Sequence, residues 1–166
     1  SGKISGVKVL ASEVNFQDLS LEKVDLTSDP LELNLNISTK DQKVSLKNSF
    51  NISGSIYLNN NSLKNILISD KWSWIANTLS EKLLDAGKAK ELKITNNKLE
   101  LNGINESNGN IINGSLSLKA ESGTININNS SNNRNYSLPM DPLIHINEAT
   151  LKAGIIWLRG NSIVKT

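Results

Sequence analysis

Apolar and polar residues alternate along most of this chain, which is the pattern of a β-strand with one buried face. The alternation is clearest in "LELNLNI", which follows Pro30. Asn96-Asn97 separates two such runs and predicts a hairpin turn, because Asn tolerates positive φ. The same pattern predicts further strands at 7–11, 50–58, 92–94, 99–101, 111–119, 124–128, 143–146, 149–153 and 155–158.

Between Val14 and Leu26 the apolar pairs recur every five residues instead of every two. A pentapeptide solenoid would give this spacing, but a solenoid needs more than three repeats to bury a continuous core. We therefore predict long, twisted antiparallel strands, with bulges or tight turns where the alternation slips by one residue.

One segment, from Asp70 to Ala86, carries apolar residues three and four apart, which predicts an amphipathic helix. Asp70 is suited to cap its first turn and Gly87 to end it. Trp74 falls on the polar side, where either a neighbouring loop covers the ring or the ring meets a membrane interface. The apolar stripe consists of Trp72, Ile75, Ala76, Leu79, Leu83 and Ala86.

The order of these elements, strands before and after one helical segment, predicts an α+β fold. We expect a strongly curved antiparallel sheet wrapped around one long helix. The length of 166 residues suits one domain, so the whole of 1–166 is expected to form a single unit.

Composition excludes several classes of protein. The net charge is only +2 and no basic stretch is interleaved with aromatic residues, so nucleic acid is not expected as a partner. Cysteine is absent, which removes disulfides and thiolate chemistry. No run of about 18 apolar residues is long enough to cross a membrane as a helix.

The sequence offers little that could support catalysis or metal binding. The single histidine, His145, lies in an alternating strand and is expected to be a partly buried structural residue. Zinc needs three or four ligands, and scattered carboxylates do not supply them. No phosphate-binding glycine loop, nucleophile elbow or calcium loop is present. We therefore expect no enzyme activity, no cofactor and no metal.

The opening part of the chain contains a series of short blocks: Ser5-Gly6-Val7, Val14-x-Phe16, Leu19-x-Leu21, Val24-x-Leu26 and Leu31-x-Leu33. The stretch "SGSIYLNNNSLKNILISDKWSWIANTLSEKLL" follows as a further block. In this order the blocks resemble the LmeA-like phospholipid-binding proteins of the bacterial cell envelope, and the resemblance covers 3–102. In the further block Ser62-Leu63-Lys64 stands where the family has Asp-Leu-Asn, and Ser69-Asp70 replaces its Ser-Pro.

This resemblance implies a fold similar to tubular lipid-binding domains, with a sheet rolled around a long helix and an elongated apolar groove. It implies phospholipid or fatty-acyl binding in the envelope or periplasm, allows peripheral membrane contact and gives no catalytic residues. The family also has an upstream helical segment with a hydrophobic leader, which this sequence does not include.

We expect the acyl chain to lie between the helix stripe and the first strands. Two alternatives stay open: the same stripe packs tightly and leaves no void, or the chain is a β-rich envelope interaction module without a lipid. The second would place function on loops such as 128–135, predicted to be mobile. A hydrolase is the weakest reading. The predicted lipid-binding residues are Trp72, Ile75, Ala76, Leu79, Leu83, Val7, Val9, Val14 and Phe16.

Overall fold

The computed structural model describes residues 2–36, 43–46 and 49–165. Strands make up 59% of it and helices 14%, so the protein is mostly β. In chain order the elements are β1 Gly2–Ile4, β2 Lys8–Phe16, β3 Leu19–Ser28, β4 Leu31–Asn36, β5 Lys43–Leu46, β6 Phe50–Leu58, α1 Asn60–Ile68, α2 Ser73–Leu84, β7 Ala89–Thr95, β8 Lys98–Ile104, β9 Ile111–Glu121, β10 Thr124–Asn129, β11 Arg134–Ser137, β12 Ile144–Lys152 and β13 Ile155–Val164.

Within the described residues the strands form three antiparallel sheets. The first five-stranded sheet has the order β12-β13-β6-β3-β2, and the second has the order β11-β10-β9-β8-β7. Strands β1, β4 and β5 form a third, small sheet, and among the described strands they pair only with one another. The backbone N–H of Ile146 in β12 donates to the carbonyl of Gly123 at 2.8 Å, which ties the first sheet to the β9–β10 turn of the second.

The predicted α+β fold, with a curved sheet wrapped around one long helix, is wrong. The helical part is two short helices, α1 of 9 residues and α2 of 12. At 1.5 Å per residue α2 is roughly 18 Å long, whereas an 11-residue strand such as β9 spans roughly 36 Å. The helices can therefore cover only part of a sheet face, and the sheets do not roll around them.

The helical segment is interrupted at Ser69, whose backbone is extended (φ −77, ψ 132). The predicted cap, Asp70, lies in the turn between the two helices, and no side chain of the described residues caps the first turn of α2. Helix α2 ends at Asp85, which adopts the left-handed conformation (φ 53), and not at Gly87. Helix α1 is better defined by its ends, because Asn59 and Ser62 form a capping box.

The predicted antiparallel strands between Val14 and Leu26 are confirmed, and the solenoid is excluded. Phe16 pairs with Leu19 across a two-residue turn in which Gln17 and Asp18 both have positive φ (48 and 68). Two positive φ values define a type I′ turn, whose twist matches that of a β-hairpin. The position at which the alternation slips by one residue lies opposite Glu13 of β2, whose backbone is also in the left-handed conformation (φ 53).

The predicted strands before residue 143 are also confirmed, with differences at their ends. Asn96 takes the positive φ (58) expected of the β7–β8 turn. The last residue of the alternation after Pro30, Ile37, lies outside the described residues.

Two predictions in the second half of the chain need correction. The three closing strands predicted at 143–146, 149–153 and 155–158 are two, because 144–152 form the single strand β12 and β13 continues to Val164. The loop predicted at 128–135 is limited to the turn 130–133, because its ends belong to β10 and β11, which pair from Asn129 and Arg134.

Asparagine side chains attach the helices to the sheets. Asn65 Oδ1 accepts from the backbone N–H of Ser20 at 2.8 Å, and Asn60 Oδ1 accepts from that of Ile94 at 2.7 Å. The side-chain amides of Asn129 and Asn132 both donate to the carbonyl of Leu83, at 2.9 and 2.8 Å, near the end of α2. These bonds satisfy backbone groups that would otherwise lack partners, and they fix the position of both helices.

The buried core joins both five-stranded sheets and both helices. Its centre is aliphatic: Leu79 is 1% exposed, and Ala76, Leu83, Leu101 and Leu116 are fully buried. A continuous cluster runs from Leu19, Leu21 and Val24 on β3, through the helices, to Leu99, Leu116, Ile127 and Ile156. On the β2 side of the first sheet, β3 contributes Leu19, Leu21 and Val24 to this cluster, and from β2 only the half-buried Val14 packs against it.

Candidate functional site: an apolar cavity beside the helices

A cavity of about 280 Å³ is lined by residues of both helices and both five-stranded sheets. Among the described lining residues Asp141 is the only charged one, and the others are apolar or aromatic. The lining residues are Leu19, Leu58, Leu63, Ile66, Trp72, Trp74, Ile75, Leu79, Leu92, Leu99, Leu118, Ile125, Ile127, Leu138, Pro139, Met140, Asp141, Ile144, Ile156 and Leu158.

Cross-strand register explains why these side chains converge. In the first sheet Ile156 on β13 pairs with Leu58 on β6, so both point from the same face. In the second sheet Leu118 on β9 pairs with Ile127 on β10 in the same way. Ile125 lies two residues before Ile127 on β10 and shares its face of the sheet, because side chains alternate along a strand. Each wall is therefore one apolar face of a sheet.

Helix α2 and the turn before it form a further part of the wall. Trp72, half-buried, lines the cavity, and its Nε1 donates to the backbone carbonyl of Gln17 at 2.7 Å. Ile75 and Leu79 follow on the same side of the helix, at spacings of three and four. The hydrogen bond satisfies the one polar atom of the Trp72 ring, so the ring adds only apolar surface to the cavity.

The rim is formed by the segment between β11 and β12 together with Trp74. Leu138 N–H donates to the carbonyl of Ile125 at 2.9 Å, which holds the start of this segment against β10. At its other end Asp141 Oδ1 accepts from the backbone N–H of Leu143 at 2.8 Å. Trp74 is 42% exposed and Ile144 is 38% exposed, so both face the solvent as well as the cavity.

The structure brings together only part of the predicted lipid-binding set. Trp72, Ile75 and Leu79 line the cavity. Ala76 and Leu83 are fully buried at 0% exposure and pack in the solid core instead. The helix stripe is therefore divided between two environments: three of its residues face the cavity, and Ala76 and Leu83 are packed in the core.

The strand residues of the predicted set do not line the cavity. Val7, Val9 and Phe16 are 43%, 46% and 51% exposed, and Val14 is half-buried against the core. The physical reason is position: β2 is the edge strand of the first sheet, three strands away from β13. Val7 and Val9 contribute to a separate apolar groove, which is described below.

Sequence reasoning missed the wall formed by the second sheet and the rim. Alternation marks the wall residues as buried, but it does not show which strand pairs with which. The rim carries no pattern at all in the sequence. The missed residues are Leu92, Leu99, Leu118, Ile125, Ile127, Leu138, Met140 and Asp141.

Polar chemistry at the cavity is limited. None of the described lining residues is Lys, Arg, His, Ser or Thr, so the Asp141 carboxylate is the only acid–base group among them and no hydroxyl nucleophile faces the space. His145 lies outside it and is exposed, contrary to the partly buried position expected from sequence. Its ring covers Gly123, where an added Cβ would lie 2.5 Å from His145 Nδ1.

The next two findings concern metal-binding groups and membrane-spanning helices in the described part of the chain. Across 2–36, 43–46 and 49–165 no group of three or more His, Asp or Glu side chains is placed to hold a metal ion. In the same part of the chain, neither helix has the length and hydropathy needed to span a membrane.

Comparison of the chain with protein-family models, with curated proteins and with solved structures found no match. The resemblance to LmeA-like proteins therefore stays a prediction, and the long-helix fold that it implies differs from the observed one. What the fold and the site define is a mostly β protein in which two short helices and two sheets line an apolar cavity that is open to solvent on one side.

Proposed function

We propose that this protein binds, without covalent chemistry, an acyl chain of a phospholipid or similar amphiphile in the apolar cavity. The observation that carries the proposal is a void of about 280 Å³ with Asp141 as its only charged lining residue in the described structure. Protein interiors normally leave few voids larger than a water molecule. An apolar void holds water poorly because water finds no hydrogen-bond partners there, and so it suits an apolar guest.

The volume favours one short acyl chain over a whole two-chain lipid. An apolar cavity of about 150 Å³ accommodates a benzene-sized guest, and pockets for larger ligands begin at about 300 Å³. Each CH₂ group that enters contributes about 0.8 kcal/mol. Affinity should therefore rise with chain length until the cavity is full, and then level off.

The headgroup is expected to stay at the rim, near Trp74 and Asp141. Since no cationic side chain is among the described lining residues, a buried phosphate or carboxylate would lose its hydration without a partner. That loss would cost several kcal/mol. An exposed headgroup avoids it, so the chain should determine affinity more than the headgroup does.

A binding protein fits this site better than an enzyme does, because Asp141 is the only side chain of the described lining that could act as nucleophile, acid or base, and no second such group stands beside it there. Action in the cell envelope is also part of the proposal. It is supported only by the sequence blocks that resemble the LmeA-like family, and it is independent of the cavity.

The alternative function, an interaction module without a lipid, is favoured by one observation. Among the described strands β2 is the edge of the first sheet, and it carries Leu10 at 63% and Phe16 at 51% exposure. Edge strands offer free backbone groups to a partner, and exposed apolar side chains strengthen such pairing. This function would leave the cavity without a role.

Isothermal titration with fatty acids of increasing length, kept below their micelle concentrations, tests the proposal. The test variant is Ile125→Trp, which places a large ring in the cavity. The matched control is Ile111→Trp, at a 49% exposed position that does not line the cavity. We expect Ile125→Trp to weaken binding by about tenfold or more. A tenfold loss of affinity corresponds to about 1.4 kcal/mol, which is the contribution of fewer than two buried CH₂ groups. Equal affinity in both variants would show that the ligand, if any, lies elsewhere.

A further inference from the structure

A second apolar depression of about 230 Å³ lies on the same sheet as the cavity. In the described structure no charged residue lines it, and it faces solvent at Val7 and Val9, which are 43% and 46% exposed. We call it the β2 groove. Its apolar lining residues are Val7, Val9, Leu26, Leu31, Phe50 and Ile52.

The register of the first sheet places the cavity and the β2 groove side by side. Ile144, which lines the cavity, pairs with Ser162, and Ser162 pairs with Ile52, which lines the groove. Residues directly opposite one another share a face of the sheet. Two strand spacings of about 4.8 Å separate Ile144 from Ile52, so the two apolar spaces are roughly 10 Å apart on one face.

The next row of the sheet carries no side chains between the two spaces. There Gly54 on β6 pairs with Gly160 on β13, and Leu26 of the groove pairs with Gly54 on its other side. Both glycines are required by close packing of the backbone. An added Cβ would lie 2.0 Å from the Asp25 carbonyl oxygen at Gly54, and 2.3 Å from that of His145 at Gly160. The row is therefore low between Leu26 of the groove and Ile146, the β12 residue that pairs with Gly160.

We propose that the β2 groove holds the second acyl chain of a two-chain lipid whose first chain occupies the cavity. This inference rests on the proposed function. Three observations support it: two apolar spaces of similar volume, a shared sheet face, and the glycine pair between them. The headgroup and the linkage of the two chains would lie above Ser162 and the glycines, open to water.

A lipid chain suits the β2 groove better than a peptide does. A peptide lying on a face without charged lining residues would desolvate its own N–H and C=O groups without replacing their hydrogen bonds. An acyl chain has no such groups. A second copy of this protein, contributing only side chains, is the competing occupant, and the experiment below includes it as an outcome.

The test compares octanoyl-lysophosphatidylcholine with dioctanoyl-phosphatidylcholine, which share a headgroup and a chain length and differ in the second chain. Both are titrated as monomers into the protein. The groove variant is Val9→Asp. Its matched control is Leu10→Asp, which is next in the strand, 63% exposed and absent from the groove lining. Ile125→Trp serves as the cavity variant, and light scattering after gel filtration gives the oligomeric state.

We expect the two-chain lipid to bind about tenfold more tightly than the one-chain lipid. Val9→Asp should remove that advantage and leave the one-chain affinity unchanged, Leu10→Asp should change neither, and Ile125→Trp should weaken both. If the one-chain lipid binds and the two-chain lipid is no tighter, or if Val9→Asp weakens both equally, the inference is overturned while the proposed function stands.

Two other results also contradict the inference. If Val9→Asp changes the oligomeric state and leaves both lipid affinities unchanged, the groove is a self-association surface. If neither lipid binds the unmodified protein, while its melting temperature shows that it is folded, the proposed function fails and the second-chain site fails with it.

Discussion

The indole N–H of Trp72 donates a hydrogen bond to the backbone carbonyl of Gln17 at 2.7 Å. Gln17 belongs to the two-residue turn that joins β2 to β3, and Trp72 belongs to the turn that leads into α2. These residues are 55 positions apart in the sequence. The hairpin tip of the first sheet thus holds an aromatic ring in the wall of the cavity, and the wall depends on this contact.

Replacing Trp72 by Phe should lower the free energy of unfolding by about 1 kcal/mol, because the hydrogen bond is lost while most of the apolar ring remains. The control is Trp157→Phe: the Nε1 of Trp157 is buried and has no hydrogen-bond partner among the described residues. Removing an unsatisfied N–H should be neutral or slightly stabilising. Urea denaturation measures both, and equal losses would contradict the role assigned to the Trp72 bond.

Filling the cavity should cost little or no stability. Leu118→Phe adds volume at a lining position, so the unfolding free energy should stay constant or rise. Leu116→Phe adds the same volume two residues earlier on β9, at a fully buried position outside the lining, and should cost about 1–3 kcal/mol. Thermal and urea unfolding distinguish the two. A similar loss in both variants would show that the space is already filled.

The two halves of the helix stripe should separate stability from binding. Leu83→Ala should destabilise the protein by about 2–5 kcal/mol and leave acyl-chain affinity unchanged, because Leu83 lies in the solid core. Leu79→Ala should also destabilise it, but by enlarging the cavity it should shift the preferred chain to a longer one. Titration with a fatty-acid series under folded conditions provides the measurement, and the same preferred length in both variants would oppose the assignment of Leu79.

Asp141 should disfavour anionic headgroups at the rim. Asp141→Asn removes the charge and keeps the side-chain oxygen that accepts from Leu143 N–H. Its affinity for a fatty acid should rise by about twofold to fivefold, since exposed charge pairs are worth up to about 1 kcal/mol. The affinity for a neutral alcohol of the same length should not change. Asp70→Asn, at an exposed position outside the cavity lining, is the control, and an equal rise there would assign the effect to net charge alone.

Much of the local structure could be predicted from the sequence, because alternation and turn residues act over a few positions. The Asn96 turn and the cavity-facing positions Ile75 and Leu79 follow from such patterns. The ends of the main helix could not: the sequence predicts a helix from Asp70 to Ala86, whereas α2 is Ser73–Leu84. Apolar spacing shows which side of a helix is buried, but does not by itself show where the backbone leaves the helix.

The errors at Val7, Val9 and Phe16 have a different origin. Their alternation is that of any half-buried strand, and only the order of strands in the sheet shows that β2 is an edge that the helices do not cover. The same holds for Ile125 and Ile127, whose place in the cavity depends on pairing between distant segments. Pairing across the sheet is a long-range property, and the pattern of a single strand does not contain it.

The most direct test of acyl-chain binding is a crystal structure of the protein with a fatty acid that carries bromine on its terminal carbon. Anomalous scattering then locates the end of the chain independently of how the rest of the ligand is interpreted. If the acyl chain binds in the cavity, we expect a bromine peak inside it, among Leu118, Ile125 and Ile127. A peak only on the outer surface, or a cavity free of bromine in crystals soaked well above the measured Kd, would contradict it.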